Sequence, residues 1–418
     1  MGTKTLYIDH NLIDEDLTDF PVAIDLTDKV PELCNDLGEN KYKFKVTLED
    51  GTECYTEIEC WETTNKVIHT KIPLVSSTTD TKINLEWDAA WDDNTTYIGE
   101  TGSDVAKNVW DSNYVAVYHM AQDPSSGTIL DSTSNALNGT VYGSMTSEDL
   151  IDGILGKAID FDGVDDYIQT PQTDLMNIGT GDITYLVSYT ILSVPGDDHA
   201  LIRSNWDTPS SNGDIGAGIL TYNASSGFNS WAHFRDNSGN IKSSEIINKD
   251  LGHHILALTR STQIGTFFTD LDQSSISDAT ANYSGYQYTR IANDANGNKD
   301  YGTYSEVRIS NIARSGAWIK ATYYNLTTAL IAIAQNHNIK PLYSQIHIKD
   351  FISPTKYQLT HIGRRNEVCF CLELQTLYMF TEFGNSYEID GLKVLQTGQG
   401  GDTRWVGIAG KYNYYEQE

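Results

Sequence analysis

The residues in this 418-residue chain best suited to chemistry are carboxylates set at short, regular spacings. In Glu57-Ile-Glu-Cys-Trp-Glu62 the acids at 57 and 59 point to one side of an extended chain, because side chains on a strand alternate. Two carboxylates facing one cleft are what glycoside hydrolysis uses, one as nucleophile or base and the other as acid. The same spacing suits the wet face of a half-buried strand, where acids only solvate the sheet. Asp294-Ala-Asn-Gly-Asn-Lys-Asp300 puts oxygen side chains at every second position, from Asp294, Asn296, Asn298 and Asp300. Hard oxygen ligands of this kind suit calcium. The run departs from an EF-type loop: Gly297 comes early, and Ser305 stands at the twelfth position instead of Glu. A metal-free turn is the plainer reading. Trp206, Trp231, Tyr283, Tyr286 and Tyr288 lie in or near Gly/Ser/Asn-rich stretches, where a ring face can stack on a pyranose. Each is equally a natural packing residue.

Charge narrows the partners. With 57 acidic and 28 basic side chains the formal charge is −29. Such a surface repels phosphate backbones and anionic lipid, which excludes nucleic acid as a partner, and it attracts divalent cations. The N-terminus has no apolar stretch behind a basic start, so no signal peptide is expected, and no apolar run is long enough to insert in a membrane. Metalloprotease (HExxH), hydrolase-elbow (GxSxG) and Walker patterns are missing from the sequence. The run Gly398-Gln-Gly-Gly-Asp402 lacks the GK[ST] ending of a phosphate-cradling loop.

Five cysteines (Cys34, Cys54, Cys60, Cys369 and Cys371) make an odd count. Cys369 and Cys371 lie two apart on one expected strand, where a disulfide between them would be strained. Cys54 and Cys60 would be about 20 Å apart on a single strand. Free thiols in a protein made in the cytoplasm are the simple account; a zinc site is the alternative, without a CxxC pair to support it.

The elements that must position these groups are strands. Thirty-three glycines, 25 tyrosines and only nine prolines suit a β-rich, turn-rich protein, and the length implies two or three domains. Phe44, Val46 and Leu48 share one face, Asp50-Gly51 reads as a hairpin turn, and Ile58 and Cys60 follow on the return strand. Further strands are expected from Val67 to Val75 and from Lys82 to Trp87. Gly156-Lys-Ala-Ile-Asp-Phe-Asp-Gly-Val-Asp-Asp-Tyr167 reads as a strand, a tight acidic turn around Gly163, and a second strand from Tyr167. A short helical stretch is expected through Ile331-Ala-Ile-Ala-Gln335. Beyond it, strands are expected at Val368–Leu374, Leu377–Phe383 and Gly391–Leu395.

The segment from Gly156 to Tyr167 closely resembles the hairpin of laminin-G-like, concanavalin A-like β-sandwich domains. Asp131-Ser-Thr-Ser-Asn-Ala-Leu-Asn-Gly139, His253–Arg260, Tyr304–Asn311 and Trp318–Asn325 resemble further motifs of that family in the same order. Asp19–Leu26, Asp50–Trp61 and Val109–His119 resemble an uncharacterised β-module that commonly precedes laminin-G-like domains in surface and phage proteins. The ending Arg404-Trp-Val-Gly-Ile-Ala-Gly-Lys411 faintly resembles phage virion proteins.

The resemblance implies a mainly β fold: a concanavalin A-like jelly roll at 109–335, a small N-terminal β-sandwich at 1–108 and a small C-terminal β-domain at 340–418, the last a candidate attachment point. It implies calcium held by Asp131, Asn138 and Glu306, with the Asp294–Asp300 run as the alternative. It also implies a sugar-binding surface, with Trp206, Trp231, Tyr286 and Tyr288 as candidate contacts. The function expected is that of a phage tail, fibre or capsid decoration protein: made in the host cytoplasm, carried on the virion among other virion proteins, self-associated, and adhering to a host-surface glycan through many copies. No catalytic residue is expected. The alternatives are a glycan hydrolase of the same superfamily, whose glucanases carry a motif similar to Glu57–Glu62 with Asp at the centre, and a purely structural decoration protein.

Overall fold

The computed structural model describes residues 1–333, apart from 178, 193–198, 205–215, 225–226, 236–240, 250, 263, 278–287, 294–297 and 328, together with the backbone of six strands between 347 and 408. The chain is mainly β and divides into two units, Met1–Ile333 and Ala334–Glu418.

The first 110 residues, joined at one edge by Ile331–Ile333, build two four-stranded sheets. One orders Ile331–Ile333, Gly2–Ile8, Thr81–Trp87 and Phe44–Leu48; the other orders Leu17–Asp25, Lys66–Val75, Thr56–Trp61 and Ile98–Glu100. Alternating apolar residues close a core between them, with Leu6, Ile8, Phe20, Val22, Phe44, Ile68, Ile83 and Leu85 fully buried. The turn at Asp50-Gly51 forms, with Gly51 at φ +86° and Leu48 N–H donating to Thr52 O at 2.9 Å. It does not make the expected hairpin of long strands. Pairing runs only to Cys54, whose N–H reaches Val46 O at 2.8 Å; the chain then crosses, and Thr56–Trp61 joins the opposite sheet. Crossing puts Ile58 into the core, a burial that a flat two-stranded ribbon would not offer.

The second layer pair is larger. A front sheet of eight strands orders Ile241–Lys249, Gly227–Arg235, Gly216–Ala224, His199–Ser204, Thr289–Ile291, Tyr167–Gln169, Gly139–Tyr142 and Thr128–Ile129. A back sheet orders Leu150–Asp152, Lys157–Asp162, Tyr301–Ser310, Ile183–Ile191, Gly252–Ser261, Ile264–Thr269 and Asp272–Ile276, with Tyr114–Tyr118 paired along Tyr301–Ser310. Inward residues of both sheets interdigitate: Ile168, Ile202, Ile219, Phe234 and Ile291 from the front meet Phe161, Tyr185, Val187, Leu258, Phe267 and Val307 from the back. Each such side chain contributes roughly 1.5–3 kcal/mol on leaving water.

The acidic turn after Phe161 corrects another expectation. Its two strands form where the sequence places them, but Lys157–Asp162 pairs within the back sheet and Tyr167–Gln169 within the front. The segment is an arch between sheets rather than a hairpin. Asp162 Oδ1 accepts the N–H groups of Val164 and Asp165, and Gly163 takes φ +71°, so the chain turns out of the back sheet before it can pair with itself.

The outer face of the back sheet is covered from within the same unit. Leu186, Ile255, Ala257 and Phe268 pack against Ala23, Cys60 and Val67 of the first module and against Ile319 and Leu326 of the helix Gly316–Leu326. That helix starts at Ser315, whose hydroxyl accepts from Trp318 N–H at 3.1 Å. Trp318 meets Phe20 edge-on, and the buried Asn325 side chain accepts from Ala23 N–H and donates to Ala23 O, at 2.8 and 2.9 Å. The stretch expected to be helical at 331–335 is instead a strand at Ile331–Ile333, antiparallel to Gly2–Ile8. Ile331 and Ile333 are β-branched at alternating positions and complete the edge of a sheet; Ala334 and Gln335 lie outside the described residues.

The second unit, described by its backbone, is a sheet ordered His347–Ser353, Glu367–Cys371, Thr376–Phe380, Trp405–Ile408, Leu392–Gln396 and Glu388–Ile389; its first pair is parallel and the others antiparallel.

Candidate functional site

The back sheet is covered by the first module and the helix; the outer face of the front sheet is exposed at Tyr142 and buried at Arg203, Leu220 and His233. Alternation decides what it presents. Because Val141, Ile168 and Ile291 face the core, Tyr142, Tyr167, Gln169 and Arg290 face outward. Tyr142 and Tyr167 are cross-strand partners whose rings stack at 4.6 Å and 3°. Tyr142 remains 39% exposed. The Arg290 guanidinium lies 5.2 Å from the Tyr167 ring centre and 5.6 Å from that of Tyr288, and its Nε donates to Gln169 Oε1 at 3.0 Å. Burial and Arg290 act in opposite senses on the Tyr167 phenol, and burial prevails, raising it. Along the same face, Trp231 sits against His233 at 4.6 Å, and Arg203, Leu220 and His233 are buried. Planar rings beside fixed amide and guanidinium groups are suited to stack on and hydrogen-bond a polyhydroxylated ring.

Of the residues the sequence nominated for sugar contact, Trp231 and Tyr288 belong to this sheet face, with Trp231 half-buried and Tyr288 buried. Trp206, Tyr283 and Tyr286 lie outside the described residues. Tyr142, Tyr167, Gln169 and Arg290 sit inside strands, where a sequence marks a ring platform less plainly than in a Gly/Ser/Asn-rich loop. Their signal was the outward phase of each strand.

The residues nominated for calcium are organised otherwise. Asp131 is buried and accepts four hydrogen bonds: Oδ1 from Val117 N–H and Thr133 N–H, Oδ2 from Thr133 Oγ1 and Leu137 N–H, all at 2.8–2.9 Å. Asn138 Oδ1 accepts from Asp131 N–H at 3.0 Å. These bonds hold the 131–138 loop in shape. Glu306 turns elsewhere, to His119 and Arg308. In the alternative run, Asp294 and Asn296 lie outside the described residues, Asn298 is described, and Asp300 is buried, accepting from Tyr189, Tyr304 and the His199 ring.

A different acidic group appears at the arch. Asp162, Asp165 and Asp166 bring carboxylate oxygens within 4.8 Å of one another. Asp166 is buried, its Oδ2 accepts from Asp162 N–H, and its Oδ1 has no hydrogen-bond partner among the described residues. Burial, with acidic neighbours Asp162, Asp149 and Asp165, pushes the Asp166 carboxyl up to about 6.

The acidic strand Thr56–Trp61 is the larger surprise. Glu57 and Glu59 do share a side, but it is buried against the back sheet, not wet. Glu57 accepts from Trp110 Nε1 at 2.5 Å and Ser132 Oγ at 2.7 Å. Glu59 faces His69 at 2.7 Å, and burial pushes its carboxyl up to about 8. Enclosed in this way, the pair has no route to a polysaccharide. His69 lies within a strand and His119 directly after one, and a single histidine in such a place carries no spacing signal.

An open groove of about 890 Å³ lies where the first module, the sandwich and the helix meet, lined among others by Trp110, Asp111, Arg314 and Trp318. Arg314 lies 4.3 Å from the ring centres of both Tyr114 and Trp318 and grips Asp111 with two hydrogen bonds at 2.8 and 2.9 Å. The protein's own cation thus occupies those ring faces.

No protein-family model matches the sequence, and no curated protein matches it. Among solved structures, the chain is similar to the binding domain of Paraclostridial Mosquitocidal Protein 1 at 15% identity, covering 72% of each chain with a TM-score of 0.40. It is similar to the botulinum neurotoxin serotype D binding domain at 11% identity and a TM-score of 0.38, spanning about half of each chain (50%). A Trypanosoma rangeli sialidase in complex with 2,3-difluoro-KDN shows 10% identity and a TM-score of 0.41, with 66% of this chain and 46% of that one covered. Likeness at this level carries no functional argument.

Proposed function

We propose that this chain is a carbohydrate-binding protein whose laminin-G-like sandwich takes a glycan on the outer face of its front sheet. The observation that carries the reading is the stacked Tyr142–Tyr167 pair flanked by Arg290 and Gln169, on the side of the sandwich that the first module leaves uncovered. Aromatic pairs of this kind cost little side-chain entropy when a ligand arrives, because packing has already fixed them.

Calcium belongs to the same reading, at the arch rather than at Asp131. Asp162, Asp165 and Asp166 offer hard oxygen ligands directly before Tyr167, whereas Asp131 already has four protein donors. The setting we propose is a phage particle, with this chain as a tail, fibre or decoration protein adhering to the host surface in many copies. Cys34, Cys54 and Cys60 are free thiols, which suits assembly in a reducing compartment.

Glycan-array binding of the purified chain, with calcium and with a chelator, tests this. Binding to a defined glycan class supports the reading, and its loss on chelation supports the calcium part. Silence in both conditions, even with a multivalent form, overturns it in favour of a purely structural protein.

A further inference from the structure

Where the first module meets the back sheet, four ionisable side chains from distant parts of the chain converge. Glu59 comes from Thr56–Trp61, His69 from Lys66–Val75, His119 from the residue after Tyr114–Tyr118, and Glu306 from Tyr301–Ser310. Each offers one nitrogen or oxygen, and these atoms all lie within 4.8 Å of one another. His69 Nε2 is 2.7 Å from Glu59 Oε2, His119 Nδ1 is 2.7 Å from Glu306 Oε2, and His119 Nδ1 is 3.8 Å from Glu59 Oε2. Four atoms about 2.1 Å from a zinc ion stand roughly 3.4 Å apart in a tetrahedron, so small side-chain shifts convert this arrangement into a four-ligand shell.

The surroundings are those a metal centre needs. His119 turns its other nitrogen, Nε2, toward Glu57 Oε2 at 3.4 Å, an ion-pair contact not aligned as a hydrogen bond, and Trp110 and Ser132 in turn hold Glu57. Glu306 has its other oxygen held by Arg308 Nε at 2.6 Å, and Arg308 lies 5.0 Å from the Trp110 ring centre. A carboxylate behind a ligating histidine fixes its tautomer and strengthens it as a donor. Two observations argue against a finished ion-pair network. Among the described residues the buried His69 Nδ1 and His119 Nε2 have no hydrogen-bond partner, and the stacked His69 and His119 rings, 4.2 Å apart, crowd two imidazoles that would repel if both were charged.

We propose that Glu59, His69, His119 and Glu306 bind one divalent transition-metal ion of the zinc class, which fastens the first module to the sandwich. Two imidazoles and two carboxylates suit zinc, iron, nickel or manganese rather than calcium. All four ligands are protein groups and the site is enclosed, as in structural rather than catalytic centres.

The test is metal content and cobalt spectroscopy on the full chain. Protein produced with zinc, iron and manganese supplied should carry one such ion per chain. The chelated chain should bind Co²⁺ with the visible bands of tetrahedral coordination, and Zn²⁺ should raise its unfolding temperature. His69→Gln should abolish the bands. Glu57→Gln keeps the ligands and should weaken Co²⁺ roughly 10–100-fold; unchanged circular dichroism would show that it folds. No stoichiometric metal, no bands and no thermal shift would overturn the proposal. So would bands that survive unaltered in His69→Gln.

Discussion

His119 Nδ1 and Glu306 Oε2 meet at 2.7 Å although 187 residues separate them in the chain. Burial alone would raise the Glu306 carboxyl, but the positive charges of His119 and Arg308 carry it down to about 2. His119 is raised well above its usual value: burial opposes its charge, and Glu306 and Glu57 more than compensate. Glu306→Ala would leave Arg308 and His119 enclosed without this carboxylate. We expect it to cost about 3–5 kcal/mol in urea unfolding of the chelated chain, with Met1–Ile333 melting in a single transition.

Asp131 gives a second prediction. Removing a buried carboxylate that satisfies three backbone N–H groups and one hydroxyl leaves those donors unpaired. Asp131→Ala should destabilise by about 3 kcal/mol, and calcium should not alter that difference. A loss that appears only in calcium-loaded protein would return Asp131 to the role of metal ligand.

A third prediction concerns pH. Burial, then its neighbour His254, lower the His253 imidazole to about 4, with Asp270 acting the other way; Nε2 faces the Ser188 hydroxyl at 2.8 Å. The folded state holds this ring neutral while the unfolded chain takes up a proton near pH 6.5, so stability falls as pH drops from about 6.5 to 4. The contribution is about 3 kcal/mol across that window. His253→Gln should flatten the profile relative to wild type between those limits, measured by urea titrations at matched ionic strength.

Edge pairing yields a fourth. Ile331 is buried against the first module's core and pairs with Ile8. Ile331→Asp should lower stability by about 2–4 kcal/mol. An unaltered unfolding midpoint would show that this strand is dispensable.

Much of the strand pattern was legible in the sequence, because alternation in Phe44–Leu48, Lys66–Val75 and Thr81–Trp87 is a local property. Sheet membership was not. The arch at Gly163 and the crossing after Cys54 look like hairpins in sequence, since a turn does not announce whether its strands will pair. Burial of Glu57 and Glu59 was also invisible: their covering face includes Glu306 and Arg308, some 250 residues onward, and only the folded chain unites them with His69 and His119. The sandwich face was half legible. Trp231 and Tyr288 were named, but Tyr142 and Tyr167 matter because they face each other across two strands.

The most direct test compares glycan binding by the wild-type chain and a Tyr167→Ala, Arg290→Ala double variant, with circular dichroism confirming that both fold. The account predicts binding weakened about tenfold or more, ~1.4 kcal/mol, for every glycan the wild type recognises. Undiminished binding by the double variant would contradict it and move the site off the front sheet.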